Sequence, residues 1–140
     1  MSQGSGSLSS LRVLLVDDSQ AIQRLMKHIL KNLGIDVVTA MDGRQGIAAV
    51  LWNQRSKRDF DIIFMDIDMP KMDGHSVTRA LRERGHKGPI VALSARGMPF
   101  DRQKALDAGC NDYLTKPINR PHLLSVINQF ARSTGDAKGN

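Results

Sequence analysis

One cysteine, one tryptophan, one tyrosine and one glutamate are all that this 140-residue chain holds of four common residue types. Cys110 alone cannot form an internal disulfide, so nothing calls for an oxidising compartment, and a cytoplasmic setting is expected. There is no long apolar run: IAAVLW (47–52) falls far short of the roughly 20 residues a membrane span needs, and no direct membrane contact is expected. The opening MSQGSGSLSS lacks the apolar centre of a signal peptide and reads as a flexible linker or cloning remnant over 1–10. The closing STGDAKGN (133–140) reads as an equally disordered tail, which leaves 11–132 as one domain with a real core. No internal repeat is present.

The shortage of glutamate makes the acids informative. All 14 acidic residues except Glu83 are aspartates, and several of them crowd into two clusters, VDD and DIDMPKMD. Net charge is nevertheless +6, so much of the remaining surface is basic. The bases are scattered, with only RSKR (55–58) tightly grouped. That pattern fits a solvated surface or an acidic protein partner better than nucleic acid.

Short apolar runs alternate with helical patterns. The runs are LRVLLV (11–16), IDVVTA (35–40), DIIFM (61–65), PIVALS (89–94) and DYLT (112–115). Between the first two, Ile22, Leu25, Met26, Ile29 and Leu33 keep a helical period, with Ser19 as N-cap and Gly34 as stop. Further helices are predicted over about 44–53, 75–84 and 101–108. A last one begins after Asn119, with Leu123, Val126, Ile127 and Phe130 on one face. Five strands alternating with five helices imply an α/β domain, a parallel sheet covered on both faces. Ligands of such sheets bind beyond the carboxyl ends of the strands.

Those ends carry the chemistry. The first strand runs into Asp17 and Asp18, the third into Asp66, the fourth ends at Ser94, and the fifth leads to Lys116 and Pro117. A parallel sheet gathers them at one edge. Three neighbouring carboxylates call for a cation, and hard oxygen ligands suit Mg²⁺. Lys116 and Ser94 could then hold phosphoryl oxygens while Asp66 acts as nucleophile, a phosphoryl transfer onto a carboxylate. Each part alone is a turn or cap signal; the specificity lies in their joint placement. Cys110 reads as a small buried residue.

VLLVDDS, DIIFMDIDMPKMDG, PIVALSA and DAGCNDYLTKPI closely resemble the receiver domains of two-component response regulators, over about 11–132. The resemblance implies a flavodoxin-like, doubly wound five-stranded sheet of order 2-1-3-4-5 with five helices. It implies that Asp66 accepts a phosphoryl group from the phosphohistidine of a histidine kinase or histidine phosphotransfer domain. Asp18 would ligate Mg²⁺ directly and Asp17 through water, the Asp68 carbonyl would complete the protein ligands, and Mn²⁺ could substitute. Ser94 would bond the phosphoryl group after activation, Lys116 would precede a cis proline, and Tyr113 would be the aromatic switch that turns from solvent to core.

The second half looks most like receivers attached to hybrid histidine kinases. No DNA-binding domain follows residue 132, so the expectation is a piece of such a kinase, with a stand-alone regulator as the alternative. A phosphorylation-dependent dimer and catalysis confined to its own phosphorylation and dephosphorylation are also expected. A flavin carrier of the same fold would need a phosphate-binding loop where DDSQ would repel phosphate. An aspartyl-phosphate phosphatase would carry its nucleophile on the first strand. Asp68 adds a negative side chain where many receivers have a neutral one, and its expected partner across the phosphoryl site is Arg96; the pair would tune phosphoryl lifetime.

Overall fold

A computed structural model describes residues 10–95 and 99–139, with side chains of the last helix described as far as 131. The expected linker over 1–10, apart from Ser10, lies outside the described residues, as do Arg96 and Asn140. Strands and helices alternate: β1 (Arg12–Val16), α1 (Gln20–Asn32), β2 (Asp36–Ala40), α2 (Gly43–Arg55), β3 (Ile62–Asp66), α3 (Gly74–Glu83), β4 (Ile90–Ser94), α4 (Pro99–Ala108), β5 (Asp112–Thr115) and α5 (Arg120–Gly139). All pairs are parallel and the sheet order is β2-β1-β3-β4-β5.

The period-2 alternation of side chains divides the core into two layers. Val13, Leu15, Ile62, Phe64, Val91 and Leu93 point to one face and pack with Met26, Leu30, Leu123 and Ile127 of α1 and α5. Leu14, Val16, Ile63, Met65, Ile90 and Ala92 point to the other and pack with Val50, Val77, Leu81 and Ala105 of α2, α3 and α4. β3 and β4 are buried along their whole length, as their unbroken apolar runs imply; the edge strand β2 is not.

Helix starts follow side-chain chemistry. Ser19 accepts from the Ile22 N–H, Asp42 from Gln45, Asp73 from Ser76 and Asn119 from His122. Gly34 and Gly109 take positive φ where α1 and α4 end. Arg82 was not singled out by the sequence, yet its guanidinium donates five hydrogen bonds. They go to the carbonyls of His86, Gly88 and Gly109 and to Asn111 Oδ1, tying the end of α3 to the starts of β4 and β5.

Two expectations are corrected. The helical backbone of α5 runs on through 133–139, where a disordered tail was expected. The segment has no proline, and an established helix extends by one hydrogen bond per added residue. Leu25, assigned to the inner face of α1, is 41% exposed, because Met26, Ile29 and Leu30 already fill that contact.

Candidate phosphoacceptor site

The carboxyl ends of β1, β3 and β5 bring three acids and one lysine together. Asp17 is fully buried, Asp66 is 2% exposed, and Asp18 is exposed at the rim. One carboxylate oxygen from each of the three lies within 4.8 Å of the others. Lys116 Nζ bridges the two buried acids, 3.2 Å from Asp17 Oδ2 and 3.3 Å from Asp66 Oδ1. The peptide bond from Lys116 to Pro117 is cis, as the resemblance implies.

Local backbone fixes these carboxylates. Asp17 Oδ1 accepts from the Ser19 N–H at 2.8 Å, and Asp66 Oδ1 from the Asp68 N–H at 2.9 Å. Gln23 donates to the Asp17 carbonyl at 2.9 Å. Gly74 is what lets α3 approach: a β-carbon there would stand 2.5 Å from the Asp66 carbonyl oxygen and 2.7 Å from Ile67 Cα. Neither Gln23 nor Gly74 was assigned a role at the site from sequence. Gly74 has a readable signal, a glycine directly after a helix-capping aspartate; Gln23 has none, because its partners are backbone carbonyls.

Burial dominates the protonation of Asp66. Loss of water, with the charge of Asp17 beside it, pushes its pKa from 3.8 up to about 6, against the lowering effects of the Asp68 N–H and Lys116. Burial works against charge on Lys116 as well, but Asp66 and Asp17 outweigh it and raise its pKa. Asp17 Oδ2 is buried and makes no aligned hydrogen bond, although Lys116 Nζ is near. A buried anionic oxygen whose near neighbour is the Lys116 ammonium, within a trio of carboxylates, has the chemistry of a hard-cation ligand.

On the other side of Asp66, Ser94 is fully buried at the end of β4. Its hydroxyl donates to Asp68 Oδ2 at 3.2 Å, and the Ala95 N–H donates to the same oxygen at 3.0 Å. Asp68 therefore faces the end of β4. Its expected partner Arg96 lies outside the described residues, so that pairing has no geometry here. The expectation that Tyr113 starts turned to solvent is corrected: the residue is 5% exposed and belongs to the core layer of α2, α3 and α4. Its place opposite Ala92 in the β5–β4 register sends the ring inward, and burying so large an apolar surface favours that position without any phosphoryl group.

The model of the response regulator receiver domain family matches residues 13–128. The chain belongs to this family. It is 38% identical over 121 residues to hybrid signal transduction histidine kinase I of Dictyostelium discoideum, covering 84% of this chain and 7% of that protein. The receiver domain of a sensor histidine kinase from Pseudomonas aeruginosa, solved with a magnesium ion coordinated in its active-site cleft, is 35% identical with a TM-score of 0.74 over 86% of this chain and 97% of that one. The receiver domain of Ssk1, solved with the histidine phosphotransfer protein Ypd1 of Saccharomyces cerevisiae, is 28% identical with a TM-score of 0.78, over 89% and 90%. The chain spans 13% or less of the length of the histidine kinases it matches. Receiver domains are phosphorylation-controlled modules of two-component phosphorelays that pair with histidine kinases or phosphotransfer proteins, and this chain is one of them. Among the described residues, no helix is long and apolar enough to cross a membrane.

Proposed function

We propose that Asp66 is the phosphoacceptor and that its donor is a phosphohistidine of a histidine kinase or histidine phosphotransfer domain. The observation that carries this is a nearly buried carboxylate at the end of β3, with Asp17 and Asp18 beside it and Lys116 in contact. An Asp66 carboxylate oxygen attacks phosphorus, a P–O bond forms, and the P–N bond of the donor breaks. The imidazole, protonated on its other nitrogen, leaves as the neutral ring with the electron pair. Lys116 pairs with a phosphoryl oxygen, and Ser94 donates to another.

The carboxylates of Asp17, Asp18 and Asp66, with the Asp68 carbonyl, would hold Mg²⁺, and Mn²⁺ offers the same preference for oxygen. Bound there, the ion supplies the positive charge that lets one anion attack another. Catalysis extends to the domain's own phosphorylation and hydrolysis, with no outside substrate. The phosphorylatable unit is 11–132, a piece of a hybrid histidine kinase in the cytoplasm. It has no nucleic-acid or membrane contact of its own and gains a dimer contact on phosphorylation. Ser94 relays the change to the surface of α4 and β5. Asp68 with Arg96 sets phosphoryl lifetime: Asp68→Asn and Arg96→Ala should each change the decay rate several-fold and non-additively.

The test is labelling by acetyl phosphate. Label is expected only with a divalent cation and only on Asp66, and Asp66→Asn should abolish it while leaving the circular dichroism unchanged. Label on another residue, or label without metal, would overturn the assignment.

A further inference from the structure

Two hydrogen-bond donors from consecutive residues converge on one oxygen. The Ser94 hydroxyl lies 3.2 Å and the Ala95 N–H 3.0 Å from Asp68 Oδ2. An O–H and an N–H aimed at one anionic oxygen make a seat for an anion. The seat lies beside the acceptor: Asp66 pairs with Leu93 in the β3–β4 register, one residue before Ser94. The Asp68 N–H is itself bonded to Asp66 Oδ1 at 2.9 Å, so one turn holds both carboxylates. Ser94 is fully buried, whereas Asp68 is exposed and its side chain has room to swing out.

We infer that Asp68 is a positioning residue whose carboxylate takes, in the unphosphorylated protein, the seat that a phosphoryl oxygen on Asp66 takes afterwards. This rests on the reading of Asp66 as phosphoacceptor. The internal carboxylate keeps the Ser94 hydroxyl and the Ala95 N–H aimed at an anion before one arrives. It also competes with that anion, so each phosphorylation exchanges one anionic partner of Ser94 and Ala95 for another. The net drive toward the activated state is smaller than the new bonds alone would supply, because equivalent bonds break. Asp68 thus trades strength of response for a prearranged site.

The probe is beryllofluoride with Mg²⁺, titrated into ¹⁵N-labelled parent, Asp68→Ala and Asp101→Asn proteins. Asp101 lines the same crevice, so its variant removes a nearby charge without touching Ser94 or Ala95. Asp68→Ala is expected to bind the probe about tenfold more tightly, a difference of about 1.4 kcal/mol, and Asp101→Asn less than twofold more tightly. The Ala95 amide resonance should differ between parent and Asp68→Ala without the probe and nearly coincide at saturation. Equal affinities, an unmoved Ala95 resonance, or an equal gain in Asp101→Asn would each overturn the exchange while leaving the role of Asp66 standing. A parent that does not bind the probe at all would overturn both.

Discussion

Lys57 takes a left-handed conformation at φ 58° where α2 ends. Its N–H and that of Arg58 close the helix on the carbonyls of Gln54 and Asn53, the position glycine usually fills. A side chain there costs about 1–2 kcal/mol, and glycine gives back roughly 0.5–1 kcal/mol through unfolded-state entropy. Lys57→Gly should therefore raise stability by roughly 0.5–1 kcal/mol in urea unfolding. Asp66 imposes a second cost. Its raised pKa disfavours the carboxylate in the folded state, so it lowers stability at pH above about 6 and is relieved as pH falls toward 3.8. Without divalent cation, Asp66→Asn should be more stable than the parent at pH 7.5 by roughly 1–2 kcal/mol, and the gap should narrow below pH about 6 and close near pH 3.8. His86 acts in the opposite sense. Burial first, then the charge of Arg82, hold its pKa below 6.5 against Asp59, and its Nε2 is buried without a partner. Its neutral form is favoured in the fold, so its contribution is full above pH 6.5 and falls as the unfolded chain takes up the proton. His86→Leu should lose less stability than the parent between pH 7 and pH 5, as read by paired melting curves.

The elements depend on contacts of quite different visibility. Helix starts and strands were readable because caps and apolar periods act within a few residues of chain. Close approach of two elements was not, since it depends on what the fold brings near. Gly74 is such a case: Gly74→Ala would drive a β-carbon into the backbone of Asp66 and Ile67. The start of α3 must move, at about 1–3 kcal/mol, and acetyl phosphate labelling should slow with it. Arg82 is another. Three of its five bonds reach Gly109 and Asn111, distant in sequence, and the other two go to backbone carbonyls, so no local pattern marks it among the other basic residues. Arg82→Ala should cost roughly 1–3 kcal/mol by leaving half-buried carbonyls unpaired. Arg82→Lys should recover little, because one ammonium cannot reproduce the planar fork.

At the scale of the molecule, the acidic trio and Lys116 were legible because a parallel sheet collects strand ends whatever their separation in sequence. The inward Tyr113 and the bonds from Ser94 and Ala95 to Asp68 were not, because resemblance speaks of a family's working cycle and not of the conformer one chain prefers at rest. The division into ends goes further. The proposed acceptor chemistry sits at the carboxyl ends of the strands, while the Arg82 ties and the buried His86 sit toward the opposite end, so stability variants there should leave labelling by acetyl phosphate intact. Trp52 is the chain's single tryptophan, it lies on α2 away from those strand ends, and it is 68% exposed. An indole that meets water in the folded state changes its surroundings little on unfolding, and it has no contact with the acceptor. Intrinsic fluorescence is therefore a poor optical reporter of both melting and phosphorylation in this protein, and an experimenter who wants a light signal will have to place a dye nearer α4.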